Sequence, residues 1–196
     1  MTAPVAVGRR GRERRRWAGW ALAAAGCAVL LARPSLLPDG GDPTGRLVVL
    51  FVVLGLVGAW WPTGHEGPAA RPPARTALAA LALGGGAFVV GRLATGGFAE
   101  AHPWFVRSLF LNGLAAVAEE AFFRRLVFGL LARYGDGVAI AGSAALFALV
   151  HVTVWGLWVL PLDLAAGLLL SWQRSVSGRW SVPAITHVLA NLLALL

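Results

Sequence analysis

The sequence predicts an all-α protein, a polytopic membrane bundle of about seven transmembrane helices. Three observations carry that expectation. The chain has 196 residues, 58% of them hydrophobic and 13% charged, with a mean hydropathy of +0.71, far from the balance of a soluble domain. Its apolar residues gather in runs of helix length separated by Pro- and Gly-rich punctuation. All 17 basic residues are Arg, and most of them flank those runs. A formal net charge of +8 could serve nucleic acid, but that placement signals membrane orientation and argues against a nucleic-acid partner.

The order of elements follows. Residues 1–16 form a basic N-terminus with Arg9, Arg10, Arg12, Arg14, Arg15 and Arg16, expected to be cytoplasmic. Residues 17–102 hold three N-terminal spans. The first is the apolar run Trp17 to Leu31, read as an uncleaved first helix, and Pro34 and Pro38 open an outside loop after it. Cys27, the only cysteine, lies in this span and excludes an intrachain disulfide, a Cys-based zinc site or an Fe–S cluster. The second span runs from Arg46 to Trp61, and the loop from Pro62 to Arg75, with His65 and Glu66, returns inside. The third, Thr76 to Phe98, carries Arg92, expected to snorkel to the headgroups. A loop around Glu100 and His102 leads to Pro103, suited to a first helical turn.

Residues 103–196 are expected to form a core of four membrane helices. Trp104 to Tyr134 reads as one long helix, Val138 to about Gly156 as the next, then Trp158 to Trp172 closing at Gln173 and Arg174, and finally Trp180 to Leu196. The arginines not assigned to the inside are Arg33, Arg46, Arg92 and Arg107, and this asymmetry implies a multi-pass protein of the inner (plasma) membrane with a cytoplasmic N-terminus.

Within this apolar frame the polar residues stand out. Glu119 and Glu120 lie near the middle of the long helix, roughly 20 Å from its inner end, and His151 lies at a similar depth on the next. An ionisable side chain at that depth costs at least about 2.5–3.5 kcal/mol, so it is usually paired and marks a function. Glu120 and Arg124 stand four apart and are expected to pair on one helical face. Glu119 points about 100° away, leaving it to face His151 and His187. His187 and Asn191, also four apart, share a face of the last helix. Phe147, one turn before His151, is expected to orient the imidazole, and Asp163 to hydrogen-bond one of the histidines or a nearby backbone group. Phe122 and Phe123 are expected to face lipid or core.

One carboxylate and two imidazoles in a low-dielectric pocket suit hydrolysis. The carboxylate takes a proton from water attacking a peptide carbonyl, and His187 with the Asn191 amide supplies hydrogen bonds to the oxyanion. The set Glu119, His151, His187 alternatively suits a divalent metal such as zinc with an open position. Two other classes use the same residues differently: a non-catalytic immunity or scaffold protein, and a small transporter or proton relay.

Three motifs, Glu119-Glu120 with Arg124, Phe147 with His151, and His187 with Asn191, occur in order within the C-terminal half. This pattern resembles the CPBP group of intramembrane proteases, the CAAX-processing and bacteriocin-processing or Abi family, and the Ser177-Gly178-Arg179 turn is similar too. The resemblance implies a helical membrane fold with a cavity open toward the cytoplasmic leaflet. It also implies Glu119 as the water-activating residue with His151 beside it, and His187 and Asn191 as oxyanion donors. A metal-free reading is favoured because Asn191 is a poor zinc ligand and a good donor, and it requires no cofactor. The implied partner is a peptide or protein substrate at the lipid bilayer: a membrane-tethered tail, a bacteriocin-like leader or a C-terminal sorting segment. The chain stops shortly after Asn191, where many relatives continue, so its last helix is expected to be completed by neighbours or a partner.

Overall fold

The computed structural model describes residues 9–36, 41–61, 72–95 and 105–196. His65, Glu66, Arg71, Glu100, His102, Pro103 and Trp104 lie outside the described residues. The described chain is all-helical, as expected: α1 (Arg9–Leu31), α2 (Thr44–Trp60), α3 (Ala74–Ala94), α4 (Phe105–Glu120), a π-helix (Ala121–Val127), α5 (Phe128–Leu131), α6 (Asp136–Trp155), α7 (Leu160–Ser177) and α8 (Ser181–Leu195). Of these, α3 and α6 are long and apolar enough to cross a membrane, and α2 and α8 are apolar but shorter. Exposed apolar side chains such as Val49, Leu56, Leu78, Leu83, Val90 and Ile185 cover the outside of the bundle, more apolar surface than a soluble monomer usually shows.

Two boundaries differ from the sequence reading for clear reasons. Helix α1 begins inside the Arg-rich segment, because Arg is a good helix former and the apolar run behind it supplies the nucleus. Helix α7 runs past Trp172 to Ser177, burying Gln173, Arg174 and Ser177 that composition alone assigned to the inner surface. Gln173 donates to the Ala80 carbonyl (2.7 Å) and to the Thr186 hydroxyl (2.9 Å), tying α7 to α3 and α8. A buried amide is tolerated because its donors are paired.

The π-helix is the hub: α1, α2 and α4 to α8 all pack on it. Its presence corrects the expectation of one continuous α-helix from Trp104 to Tyr134. A π-turn has i→i+5 bonding and frees carbonyls from the ordinary ladder, and other elements satisfy them. The Phe128 amide and the Ser143 hydroxyl (2.9 Å) donate to the Phe123 carbonyl, and Arg174 Nε donates to the Arg124 carbonyl (2.9 Å). Phe122, Phe123, Leu126 and Val127, fully buried, form the cluster that α1, α2 and α6 close over.

Helix α2 reaches the hub through Gly58. A Cβ there would lie 2.4 Å from the Ala121 carbonyl carbon and oxygen and 2.5 Å from the Phe122 nitrogen, all backbone atoms that cannot rotate away. Within lipid such close approach, not hydrophobic burial, drives helix association. Gly58→Ala is therefore expected to destabilise the bundle by about 1–3 kcal/mol, read as a lowered thermal midpoint in detergent; an unchanged midpoint would refute the backbone contact.

The remaining ties are peripheral. Asp42 accepts from the Thr44 hydroxyl (2.7 Å) and amide (3.0 Å) and pairs with Arg107, linking the segment before α2 to α4. The Thr44 hydrogen bonds, with Arg107 adding to them, hold its carboxyl below the usual carboxylate range. Arg92 does not simply snorkel: its Nε donates to the Leu193 carbonyl (2.9 Å), satisfying an orphan acceptor at the end of α8. Gly156 ends α6 at φ 85°, a left-handed turn where Gly costs least, and the chain folds back into α7.

Candidate active site

The cluster is assembled where α4 becomes the π-helix. Glu119 and Glu120 are buried, the latter completely, as the last residues of α4, and as neighbours on a helix they look to different sides. Helix α6 lies on one side and α8 on the other. The two carboxylates are accordingly divided between the two histidines: Glu119 Oε2 stands 3.7 Å from His151 Nε2, and His187 Nδ1 donates to Glu120 Oε1 at 3.0 Å. This corrects the expectation that Glu119 alone faces both imidazoles and that Glu120 serves only Arg124.

Glu120 does also pair with Arg124, Oε2 to Nε at 3.2 Å, both side chains fully buried. The two atoms are close but not aligned as a hydrogen bond, so the contact is a charge pair. Arg124 is further held by the Gly167 carbonyl (3.3 Å) and by lying over the Phe147 ring, 4.5 Å from its centroid. A cation on an aromatic face in a dry interior contributes up to about 2 kcal/mol. Phe147 thus sits at the centre. Its ring is 4.6 Å from the His151 ring and 5.6 Å from those of His187 and Phe123.

His151 is oriented by backbone. Its Nδ1 lies 2.8 Å from the Phe147 carbonyl oxygen, and a carbonyl only accepts, so Nδ1 carries the hydrogen. Nε2 is left facing Glu119. Asp163 Oδ2 is 3.7 Å from His151 Nδ1, beyond hydrogen-bond reach, and has no hydrogen-bond partner among the described residues. Asp163 is therefore an electrostatic neighbour of His151; the Phe147 carbonyl does the orienting.

The structure does not bring Asn191 to this cluster. Its Nδ2 donates to the Asn112 carbonyl at 3.1 Å, because α8 crosses α4 and its next turn meets α4 well before Glu119. The residue that sequence reasoning missed is Arg33, just past α1. Its Nη1 lies 3.8 Å from Glu119 Oε1, its guanidinium 5.9 Å from the Phe51 centroid, and its side chain is 13% exposed. Charge balance was the available signal, since two buried acids call for two cations and Arg124 supplies one. Arg33→Gln is expected to lower turnover about tenfold, roughly 1.4 kcal/mol of barrier, with a smaller change in KM and partial recovery in Arg33→Lys. Unaltered kcat in Arg33→Gln would show that the pair has no part in turnover.

His151 lies about one turn from the Gly156 end of α6, and Asp163 about one turn into α7. Arg33, His151 and Asp163 thus approach the buried acids from helix ends, whereas Glu119 and Glu120 close α4. No three His, Cys, Asp or Glu side chains among the described residues are grouped to hold a metal ion. His187 Nδ1 is given to Glu120 and His151 Nδ1 to Phe147, which leaves the Nε2 atom of each ring as the nitrogen turned to water, substrate or a metal ion.

A helical bundle that buries a carboxylate opposite an oriented imidazole has the groups of a hydrolase that activates water. Residues 101–193 match the model of the Rce1-like family, described as type II CAAX prenyl endopeptidase Rce1-like. No curated protein and no solved structure matches the chain.

Proposed function

We propose that this protein is an intramembrane endopeptidase that hydrolyses a peptide bond of a membrane-associated protein or peptide with water activated by Glu119 and His151. The observation that carries the reading is the 3.7 Å between Glu119 Oε2 and His151 Nε2, with the His151 tautomer held by Phe147. That span is too long for a direct hydrogen bond and suits one bridging water. Both facing atoms accept, so the substrate water donates its two hydrogens to them and turns a lone pair toward the scissile carbonyl. Glu119 takes the proton as the carbonyl carbon is attacked. Arg33 holds the carboxylate from the opposite side.

His187 completes the chemistry. With Nδ1–H given to Glu120, its Nε2 is the ring atom left for substrate. Carrying a proton there, it donates to the oxyanion or to the leaving amine. Glu120 and Arg124 hold the imidazole in place, much as the acid of a catalytic triad orients its histidine. Asn191 ties α8 to α4 and so sets the position of His187.

The apolar helices and the family match support a multi-pass protein of the plasma membrane. The arginine distribution supports a cytoplasmic N-terminus. The substrate this supports is a membrane-tethered tail, a bacteriocin-like leader or a C-terminal sorting segment. Comparing membrane peptides from cells carrying wild type or Glu119→Gln tests the reading. Fragments specific to wild type are expected, and their production by purified protein is expected to persist after zinc chelation. Identical peptide sets would sink the protease reading, and loss of activity on chelation restored by zinc would replace the metal-free mechanism.

A further inference from the structure

A second pocket lies at the opposite end of the bundle, where the Arg-rich start of α1 meets the chain after α5. It encloses about 580 Å³ and is lined by Glu13, Arg16, Trp17, Trp20, Arg133 and Tyr134. That volume falls within the roughly 300–1,000 Å³ of small-molecule sites. None of these residues belongs to the Glu–His cluster.

Arg133 is set for an anion. Its guanidinium carbon lies 4.6 Å from the Tyr134 ring centroid and 5.5 Å from that of Trp20, and Nη2 donates to the Tyr134 hydroxyl at 2.7 Å. Its Nε is buried with no hydrogen-bond partner among the described residues. A buried N–H without an acceptor costs about 1–3 kcal/mol. The aromatic faces orient the cation, and one donor is left over. Arg16 supplies a second cation at the pocket wall, and Glu13 one acid.

We propose that this pocket binds the headgroup of a singly negative glycerophospholipid bearing hydroxyls beyond its phosphate, the phosphatidylglycerol class. The two guanidiniums take the phosphodiester, Arg133 with its free Nε. The headgroup hydroxyls donate to Glu13. Among the described lining residues, two arginines and one glutamate leave one net positive charge, which a headgroup of charge −1 neutralises and a zwitterionic one does not. Trp17, 75% exposed, and Trp20 stand where indole rings settle at a bilayer interface. Basic pockets between membrane helices recognise anionic headgroups in this way. A soluble phosphodiester would meet the same arginines without the acyl chains that the apolar flank of α1 adjoins. The assignment rests on the membrane reading and is independent of catalysis.

Native mass spectrometry of the full chain in detergent tests it. Phosphatidylglycerol, phosphatidylethanolamine and phosphatidylcholine with identical acyl chains are titrated separately, alongside the free glycerophosphoglycerol headgroup. Wild type is expected to hold phosphatidylglycerol about fivefold or more tighter than phosphatidylcholine, with roughly a fivefold loss in each of Arg133→Gln and Arg16→Gln. The exposed position of Arg16 lets its variant report on binding whether or not Arg133→Gln folds. Equal binding of the three lipids, or unchanged phosphatidylglycerol binding in Arg16→Gln, would overturn the site. Binding of the free headgroup as tight as the lipid would overturn the lipid assignment. Because no cleavage is measured, these outcomes are separable from failure of the protease reading.

Discussion

Replacing Glu119 by Gln is expected to lower cleavage of a true substrate by about 10²–10⁴-fold, the range for loss of a general base. The substitution keeps the size of the side chain and removes its proton-accepting charge. The new amide turns either its oxygen or its NH2 toward His151 Nε2, which now lies 3.7 Å from the carboxylate. In either orientation the amide takes no proton from water. Arg33 keeps its place over Phe51 but loses a mostly buried ion partner, so the variant is expected to fold with a stability loss below the about 3–5 kcal/mol of a fully buried pair. The measurement pairs turnover with thermal unfolding of the same sample. Wild-type turnover in a folded variant would remove Glu119 from the chemistry.

Replacing Arg124 by Leu is expected to have the largest effect on stability. Arg124 is fully buried, at the hub of the bundle, with Glu120 at 3.2 Å and Phe147 beneath its guanidinium. Removing one member of such a pair leaves the other as an uncompensated buried charge, which costs about 3–5 kcal/mol. Glu120 would retain only His187. The double variant Glu120→Gln with Arg124→Leu is expected to be more stable than Arg124→Leu alone, because it leaves no unpaired charge at position 120. Arg124→Lys is expected to recover only part of the loss, since an ammonium cannot reach Glu120, the Gly167 carbonyl and the Phe147 face together as a planar fork does. Denaturation in mixed micelles ranks the three. A double variant no better than the single would show that the lost stability comes from packing and not from an unpaired charge.

These two variants separate roles that one helix carries side by side. Glu119 faces His151 and Arg33, and Glu120 the framework through Arg124 and His187. A single helical step makes that division possible, since adjacent residues diverge by about 100° and α6 and α8 lie on the two sides. The π-turn that follows carries Arg124 back beneath Glu120, with Ser143 and Arg174 satisfying the carbonyls it frees.

The helical class and the family could be read from the sequence alone. Hydropathy and punctuation act locally, so runs such as Arg46 to Trp61 and Val138 to Gly156 announce helices within a few residues of α2 and α6. The chemistry-bearing residues were legible for a similar reason, because Glu119, Glu120, His151 and His187 are conspicuous against an apolar background. What they touch was not. The partition of two acids between two histidines depends on which helices flank α4. The retreat of Asn191 to Asn112 depends on the crossing of α8 over α4, and the arrival of Arg33 on where α1 ends. Pairings between residues far apart in the chain are set by helix packing, and no periodicity within one helix encodes them.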